Sequence, residues 1–425
     1  MRDTIEITPK GALEAEVVLP GSKSITHRAL FCAALAEGIS TIHGALLCTD
    51  TEVSAACLRV LGAEIEADER SSSFRVTGFP GVPRFGGARL NAGDCGTALR
   101  FLTALVTLGG GEYTIEGGRV ERPIGELVDA LRSAGCKISY GKREGYPPVT
   151  VSAAGFPGGR IRVGAEVSSQ YVSALLLAAP YAQQDVEIEI AGRVASAPYI
   201  DVTIDVMRAF GIDVAVTENV HYVPAGFGYE GTDFHVEGDA SAATYFLAAA
   251  GICGGRVRVK GVGVHSRQAD MRFTSLLEEM GCRVTAGKDF VEAEGLLTKG
   301  VHADMRDMPD AVPTLAAAAC FAETKTLITG IKNLRVKESD RIAAIGEMLT
   351  ALGARVEASP DSLEIYPSRP HGGKVDPHGD HRIAMSAALI GLKAPGVVIK
   401  NPGCVSKSFP RFFAEIENLS ERSKS

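Results

Sequence analysis

The sequence predicts an α/β protein of two domains, built from six repeated units that keep their helices inside and their sheets outside. Three observations predict this. A helix–glycine–strand pattern recurs as ACLRVLGAEIEA, DALRSAGCKISY, DVMRAFGIDVAV, LLEEMGCRVTA and MLTALGARVEA, with Gly62, Gly135, Gly211, Gly281 and Gly353 spaced 73, 76, 70 and 72 residues apart. So constant a period over five copies marks a structural repeat whose single unit cannot bury its own apolar face. A second pattern interleaves with the first: an Ala/Leu-rich helix and then a strand running to a glycine turn. The third observation is that these Ala/Leu-rich helices (AALLLAAP, YFLAAAG, TLAAAACFA) are apolar all round, the composition of a helix buried on every side.

The elements follow in order. The first residues, MRDTIEITPKGALEAEVVLPG, alternate apolar and polar positions as strands do and contain acids, unlike the apolar core of a signal peptide. Six copies of the apolar helix–strand pair follow: CAALAEGISTIHG, LTALVTLGGGEYTIEG, LLLAAPYAQQDVEIEIAG, LAAAGICGGRVRVKG, AAAACFAETKTLITG and SAALIGLKAPGVVIKNPG. Between them lie the five glycine-stopped helices, each expected to end on a residue with positive φ before the next strand. FPRFFAEIENL supplies the sixth helix of that kind.

Composition narrows the function. A chain of 425 residues exceeds one ordinary domain, and 45% hydrophobic with 22% charged residues suits a globular fold. The net charge of −7 disfavours wrapping nucleic acid or anionic membranes, and 6% aromatics without tryptophan leave few stacking platforms. Nine cysteines with no CxxC pair fit a reducing compartment, and no run approaches the ~18 apolar residues of a membrane span. A cytoplasmic location is expected, with no membrane partner.

Within this acidic chain, basic and hydroxyl residues cluster at the starts of the apolar helices. PGSKSITHRAL places Lys23, Ser24 and Arg28 at a strand-to-helix junction, where free backbone N–H groups favour an anion. It is not a Walker A loop, because Gly21 is followed by Ser22 and position 16 is Glu. Helix capping by Ser22 or Ser24 explains the serines but not Lys23 and Arg28. NAGDCGTALRF puts Gly93, Gly96 and Thr97 ahead of a helix, VERPIG carries Arg122, and EVSSQYVSALLLAAP offers Ser168, Ser169 and Gln170. Further on come DMRDMPDAVPTLAAAA with Asp310, NLRVKESDRIAAIGEML with Lys337, Glu338 and Arg341, PHGDHRIAMSAALIGL with Arg382, and CVSKSFPRFF with Lys407. Taken singly, each also reads as a cap or a solvated charge pair. Together they suggest a cleft of positive helix ends and Lys/Arg side chains for small, multiply anionic substrates. His378 and His381 lack a third ligand at useful spacing, so no metal is expected.

These segments, in this order, closely resemble the 3-phosphoshikimate 1-carboxyvinyltransferase (EPSP synthase) family over nearly the whole chain. The motifs are PGSKSITHRAL, CGTALRF, RPIGELVDAL, SSQYVSALLLAAP, APYIDVT, VEGDASAATYFLAAA, DMPDAVPT, NLRVKESDRI, GDHRIAMS and KSFPRFF. The resemblance implies an inside-out α/β barrel of two domains, each of three βαβαββ units, with residues 21–233 forming one domain and residues 1–20 with 234–425 the other. It implies enolpyruvyl transfer from phosphoenolpyruvate to the 5-hydroxyl of shikimate 3-phosphate, by addition and then elimination of phosphate, on the way to chorismate and the aromatic amino acids. Lys23, Ser24, Arg28, Ser168, Ser169, Gln170, Ser196, Asp310, Asn333 and Lys337 would hold the shikimate part. Lys23, Gly96, Arg122, Gln170, Arg341, Arg382 and Lys407 would hold phosphoenolpyruvate. Asp310 would be the base, with Glu338 and Lys23 handling the other protons. No cofactor, no metal and no nucleic acid is implied, and the chain is expected to act as a monomer.

Two departures accompany the resemblance. Gly93-Asp94-Cys95-Gly96-Thr97 stands where the family usually has Gly-Asn-(Ala or Ser)-Gly-Thr, and Ala197 replaces the basic residue common after Ser196. The family's inhibitor glyphosate is expected to compete with phosphoenolpyruvate beside Gly96. UDP-N-acetylglucosamine enolpyruvyltransferase is the nearest rival, but its first motif reads Gly-(Ala or Ser)-Lys-Asn where this chain has Gly-Ser-Lys-Ser. RNA 3′-phosphate cyclase, a rival from another class with related units, fits the acidic balance poorly.

Overall fold

A computed structural model describes residues 3–83, 86–118 and 122–420. The chain divides into two compact units: a central one, Gly21–Val236, and a terminal one made of Met1–Pro20 and Glu237–Ser425. The central unit holds helices α1 (Lys23–Leu35), α2 (Thr49–Val60), α3 (Gly96–Leu105), α4 (Gly125–Ser133), α5 (Gln170–Ala178) and α6 (Pro198–Ala209). The terminal unit holds α7 (Ala240–Cys253), α8 (Phe273–Glu279), α9 (Val312–Ala319), α10 (Arg341–Ala351), α11 (His381–Gly391) and α12 (Phe412–Glu417).

The βαβαββ unit is directly visible. In one copy, strand Gly159–Gly164 leads through α5 to a parallel partner, Val186–Ala191; α6 follows, and then an antiparallel hairpin of Ala215–Thr217 and Val220–Val223 closes a four-stranded sheet. Five of the six sheets have this pattern: one parallel pair, with two antiparallel pairs beside it. The sixth is three-stranded, with Gly373–Val375 parallel to Val397–Lys400 and the early strand Thr4–Glu6 antiparallel to the latter.

The two crossings between units exchange strands. Leu13–Val18 immediately precedes α1 in sequence, yet it pairs in parallel with Gly255–Lys260 of the terminal unit. Asp233–His235 precedes α7, yet it pairs with Ile39–His43 of the central unit. This pairing keeps residues 234–236 with the central unit, so the second crossing falls three residues beyond the expected 233/234 boundary.

Helix burial separates the two kinds of helix. Every residue of α7, α9 and α11 is buried, as is α1 from Ile25 onward and α5 from Tyr171 onward. Within the central unit α1, α3 and α5 pack on one another, and within the terminal unit α7, α9 and α11 do the same. The glycine-stopped helices bury one face; α4, for example, buries Leu127, Val128, Ala130 and Leu131. The strands around these helices alternate, as in Val186–Ala191, where Val186, Ile188 and Ile190 are buried. Helices inside and sheets outside therefore hold within each unit, although all-round burial belongs only to the first helix of each repeat. The five repeat glycines all take φ between 80° and 112°, which stops the helix and turns the chain into the next strand.

Candidate active site

Because each apolar helix follows a parallel strand, the residue at the strand-to-helix turn sits at the helix N-terminus, where backbone N–H groups lack helical partners. In the central unit these first helical positions are Lys23 on α1, Gly96 on α3 and Gln170 on α5. Lys23 Nζ donates to Asp50 Oδ2 at 3.1 Å. Ser22, at the N-cap position, makes no capping bond, and its buried Oγ has no partner among the described residues. Capping therefore does not account for this serine.

Arg28, further along α1, is bonded within the central unit. It is 1% exposed. Its guanidinium donates to Thr203 Oγ1 at 2.7 Å, Ser24 O at 2.8 Å, Tyr199 O at 3.1 Å and Ser173 Oγ at 3.3 Å, and it lies over the rings of Phe101 and Tyr199. Burial pulls its pKa down to about 10, so the group stays charged at neutral pH while tying α1 to α5 and α6.

A second arginine, which sequence reasoning missed, organises the other residues. Arg100 donates to Gln170 Oε1 at 2.7 Å, Ser168 Oγ at 3.2 Å and Pro123 O at 3.1 Å, and its guanidinium lies over Tyr171. Gln170 Nε2 in turn donates to Thr97 Oγ1 at 3.0 Å. Gly96 faces the same group: a Cβ placed there would lie 3.5 Å from Arg122 Cγ and 3.6 Å from Arg100 Nη1. Arg122 is buried, while the first two residues of its VERPIG segment lie outside the described residues. Arg100 stands four residues after Gly96, hence on the same helix face, and that spacing was the available signal.

Ser169 is buried but makes no side-chain cap. Ser196 is a non-glycine residue at φ 60°, a strained left-handed backbone of the kind concentrated at functional sites. Ala197 occupies the N-cap position of α6. Asp94 is exposed and covers Gly118, where a Cβ would come within 2.2 Å of its Oδ1.

The terminal unit carries a tight charge network. Asp310, just ahead of α9, accepts at Oδ1 from Arg341 Nη1 and at Oδ2 from Arg382 Nη2, both at 2.8 Å. Arg341, 1% exposed, also donates to Glu338 Oε2 at 2.5 Å and from Nε to Asp380 Oδ2 at 2.8 Å. Asp380 was missed in the sequence. It is fully buried, accepts from the backbone N of Arg382 as the N-cap of α11, and fixes Arg341 from behind. Its signal was its place one residue ahead of an apolar helix, the position of an N-cap.

Burial raises the carboxyl pKa of Asp310, but Arg382, Lys337 and Arg341 outweigh it and hold the group far below the ordinary carboxylate range. Burial likewise works against the charge on Arg341, yet Asp380, Glu338 and Asp310 raise its pKa above the usual value. Asn333, one turn before Lys337, is buried with neither amide atom hydrogen-bonded among the described residues. Lys407 ends a short 3₁₀ segment that packs against α11. His378 bonds Glu347 and His381 lies buried on α11, so the two face different surroundings.

Repeated βαβαββ units, with buried helices inside, sheets outside, and Lys23 and Arg382 in the first turns of two of those helices, place the chain in the inside-out α/β class. Within that class, the chain belongs to the EPSP synthase (3-phosphoshikimate 1-carboxyvinyltransferase) family, whose model matches residues 7–416. It is 42% identical to the 3-phosphoshikimate 1-carboxyvinyltransferase of Trichormus variabilis, over 97% of this chain and 98% of that protein. It is 43% identical to the enzyme of Aeromonas salmonicida, over 99% of each. Among solved structures, EPSP synthase from Acinetobacter baumannii is similar with a TM-score of 0.81 at 28% identity, covering 98% of both chains.

Proposed function

We infer that this chain transfers the enolpyruvyl group of phosphoenolpyruvate to the 5-hydroxyl of shikimate 3-phosphate and releases phosphate, a step of aromatic amino acid biosynthesis. Family membership over nearly the full length carries this reading. The chemistry asks for cations that fix two carboxylates and two phosphates, a base for a hydroxyl, and an acid for a methylene carbon. Lys23, Ser24, Arg28, Ser168, Ser169, Gln170, Ser196, Asp310, Asn333 and Lys337 hold the shikimate part. Lys23, Gly96, Arg122, Gln170, Arg341, Arg382 and Lys407 hold phosphoenolpyruvate. Planar guanidinium forks suit its carboxylate and phosphate.

In the first step the 5-oxygen bonds to C2 of phosphoenolpyruvate, its proton passes to Asp310, and the methylene carbon gains a proton. In the second, the new methyl group loses a proton, the C2–O bond to phosphate breaks, and the enolpyruvyl ether remains. Glu338 and Lys23 handle the protons at the methylene and at the leaving phosphate. Asp310 is a poor base while Arg341 and Arg382 hold both its oxygens. An incoming carboxylate or phosphate that takes over those guanidiniums removes the stabilisation and raises the basicity of Asp310, so donor binding prepares the base.

The chain acts as a monomer in the cytoplasm. Its nine cysteines are free thiols, and no described helix is long and apolar enough to cross a membrane. Phosphate release is the test of function. Release is expected with phosphoenolpyruvate plus shikimate 3-phosphate, whereas release only with UDP-N-acetylglucosamine, or with neither acceptor, contradicts the reading. Gel filtration with light scattering tests the monomer.

A further inference from the structure

One buried cluster, to which the proposed function assigns no role of its own, gathers three chemically different metal ligands. His27 on α1, Asp50 on α2 and Cys95 at the start of α3 have donor atoms within 4.8 Å of one another. His27 Nε2 is 3.9 Å from Cys95 Sγ. A thiolate and an imidazole nitrogen on one tetrahedral zinc ion stand about 3.6 Å apart, given the usual Zn–S and Zn–N lengths, so only a few tenths of an ångström separate this pair from ligand geometry. The other ring nitrogen is already engaged, with Nδ1 2.8 Å from Ser54 Oγ. Such an outer contact fixes the tautomer and orientation of a ligating histidine. The three residues sit on helices α1, α2 and α3, which pack against one another, so the cluster is held by rigid elements.

We propose that His27, Asp50 and Cys95 form a binding site for a zinc-type divalent cation, with its fourth position left to water. Sulfur and imidazole ligands favour zinc over magnesium or calcium, which prefer all-oxygen sites. A thiolate and a carboxylate together cancel the charge of a dication, which makes a buried position tolerable. At the edge of the cluster, the side chains of Asp50 and Lys23 are 7% and 15% exposed. The cysteine gives up its proton on binding, so uptake releases a proton and strengthens as pH rises.

Occupancy has a consequence for catalysis. Asp50 accepts from Lys23 Nζ, and Cys95 directly precedes Gly96 while its Sγ accepts from the backbone N of Ala98. A cation on this cluster competes with the Lys23 ammonium for Asp50 and fixes the turn before α3, so the loaded protein is inhibited. The inhibition rests on the proposed function; the site does not.

The test is titration of the chelator-stripped full chain with Zn²⁺ and, separately, with Co²⁺. We expect uptake of a single Zn²⁺ per chain, a sulfur-to-cobalt charge-transfer band, and an activity loss that chelator reverses. Cys95→Ser, which keeps an oxygen to cap α3, should abolish the band and weaken Zn²⁺ binding by about tenfold or more, and His27→Gln should also weaken it. Cys136→Ser, elsewhere in the same unit, should change neither. Thermal midpoints show which variants are folded, and the cobalt spectrum of the unaltered chain needs no variant. A missing cobalt band in the unaltered chain, or unchanged Zn²⁺ affinity in folded Cys95→Ser, overturns the site. Binding with the band but without inhibition keeps the site and overturns only its effect on turnover.

Discussion

Lys23 is ion-paired to Asp50 and also stands at the start of α1, so removing it has two effects that must be separated. Lys23→Met should abolish measurable turnover and lower the thermal midpoint, because a buried carboxylate loses its cation. Adding Asp50→Asn should recover the midpoint without recovering turnover; recovery of both would make Lys23 structural. Asp310→Ala should cut kcat by about 10²–10⁴-fold, as general-base losses do, while shikimate 3-phosphate still binds; a fall below tenfold removes it from that role. Its depressed pKa also has a sign in stability. The contribution is fully present above the unfolded carboxyl pKa of about 3.9 and is lost as pH falls below that, toward the lower folded value. Acid unfolding curves of Asp310→Asn should therefore be shallower below pH ~4 than those of the parent. At Gly96 a methyl meets only ordinary contacts, with Arg122 and Arg100 3.5–3.6 Å away, so Gly96→Ala should fold normally. In the proposed donor site that methyl takes up space, and glyphosate is the longer ligand. Gly96→Ala should therefore raise the inhibition constant for glyphosate far more than KM for phosphoenolpyruvate, and equal inhibition of the two proteins contradicts the steric argument.

Among the elements, the glycine-stopped helix is the part most open to a clean test. Gly135 has φ 95°, yet a Cβ there would meet nothing closer than Pro157 Cγ at 3.6 Å. Gly135→Ala thus isolates backbone strain from crowding and should cost about 1–2 kcal/mol in urea unfolding, with turnover unchanged. No loss would mean that the left-handed stop is not what ends α4. These stops were legible in sequence because a helix pattern that halts at glycine before an alternating strand has a local cause. The helix starts were legible for the same reason: Lys23, Gly96, Gln170 and Asp310 each stand beside the first turn of an apolar helix. What was hidden is long-range. Arg100 meets Ser168 and Gln170 about seventy residues away, and Arg341 meets Asp380 across 39. Arg28 is likewise held by Ser173, Tyr199 and Thr203, which no local pattern ties to it.

For the molecule as a whole, the repeat period predicted six units, but not that two of them would borrow their first strand. Leu13–Val18 alternates just as a strand leading into α1 would, and nothing in that alternation says that its partner is Gly255–Lys260. Such pairing is set by how the two units are threaded, which strand composition does not record. The cations proposed to hold the two substrates are also divided, with Lys23, Arg28 and Arg122 in the central unit and Lys337, Arg341, Arg382 and Lys407 in the terminal one. In addition followed by elimination, the methylene carbon of phosphoenolpyruvate becomes a methyl group before it returns to a methylene. Turnover of phosphoenolpyruvate with shikimate 3-phosphate in D₂O, read by mass spectrometry and proton NMR of the enolpyruvyl ether, follows that carbon through both steps. Deuterium is expected in the vinylic methylene of the product; an enolpyruvyl ether formed without deuterium at that carbon would rule out addition followed by elimination.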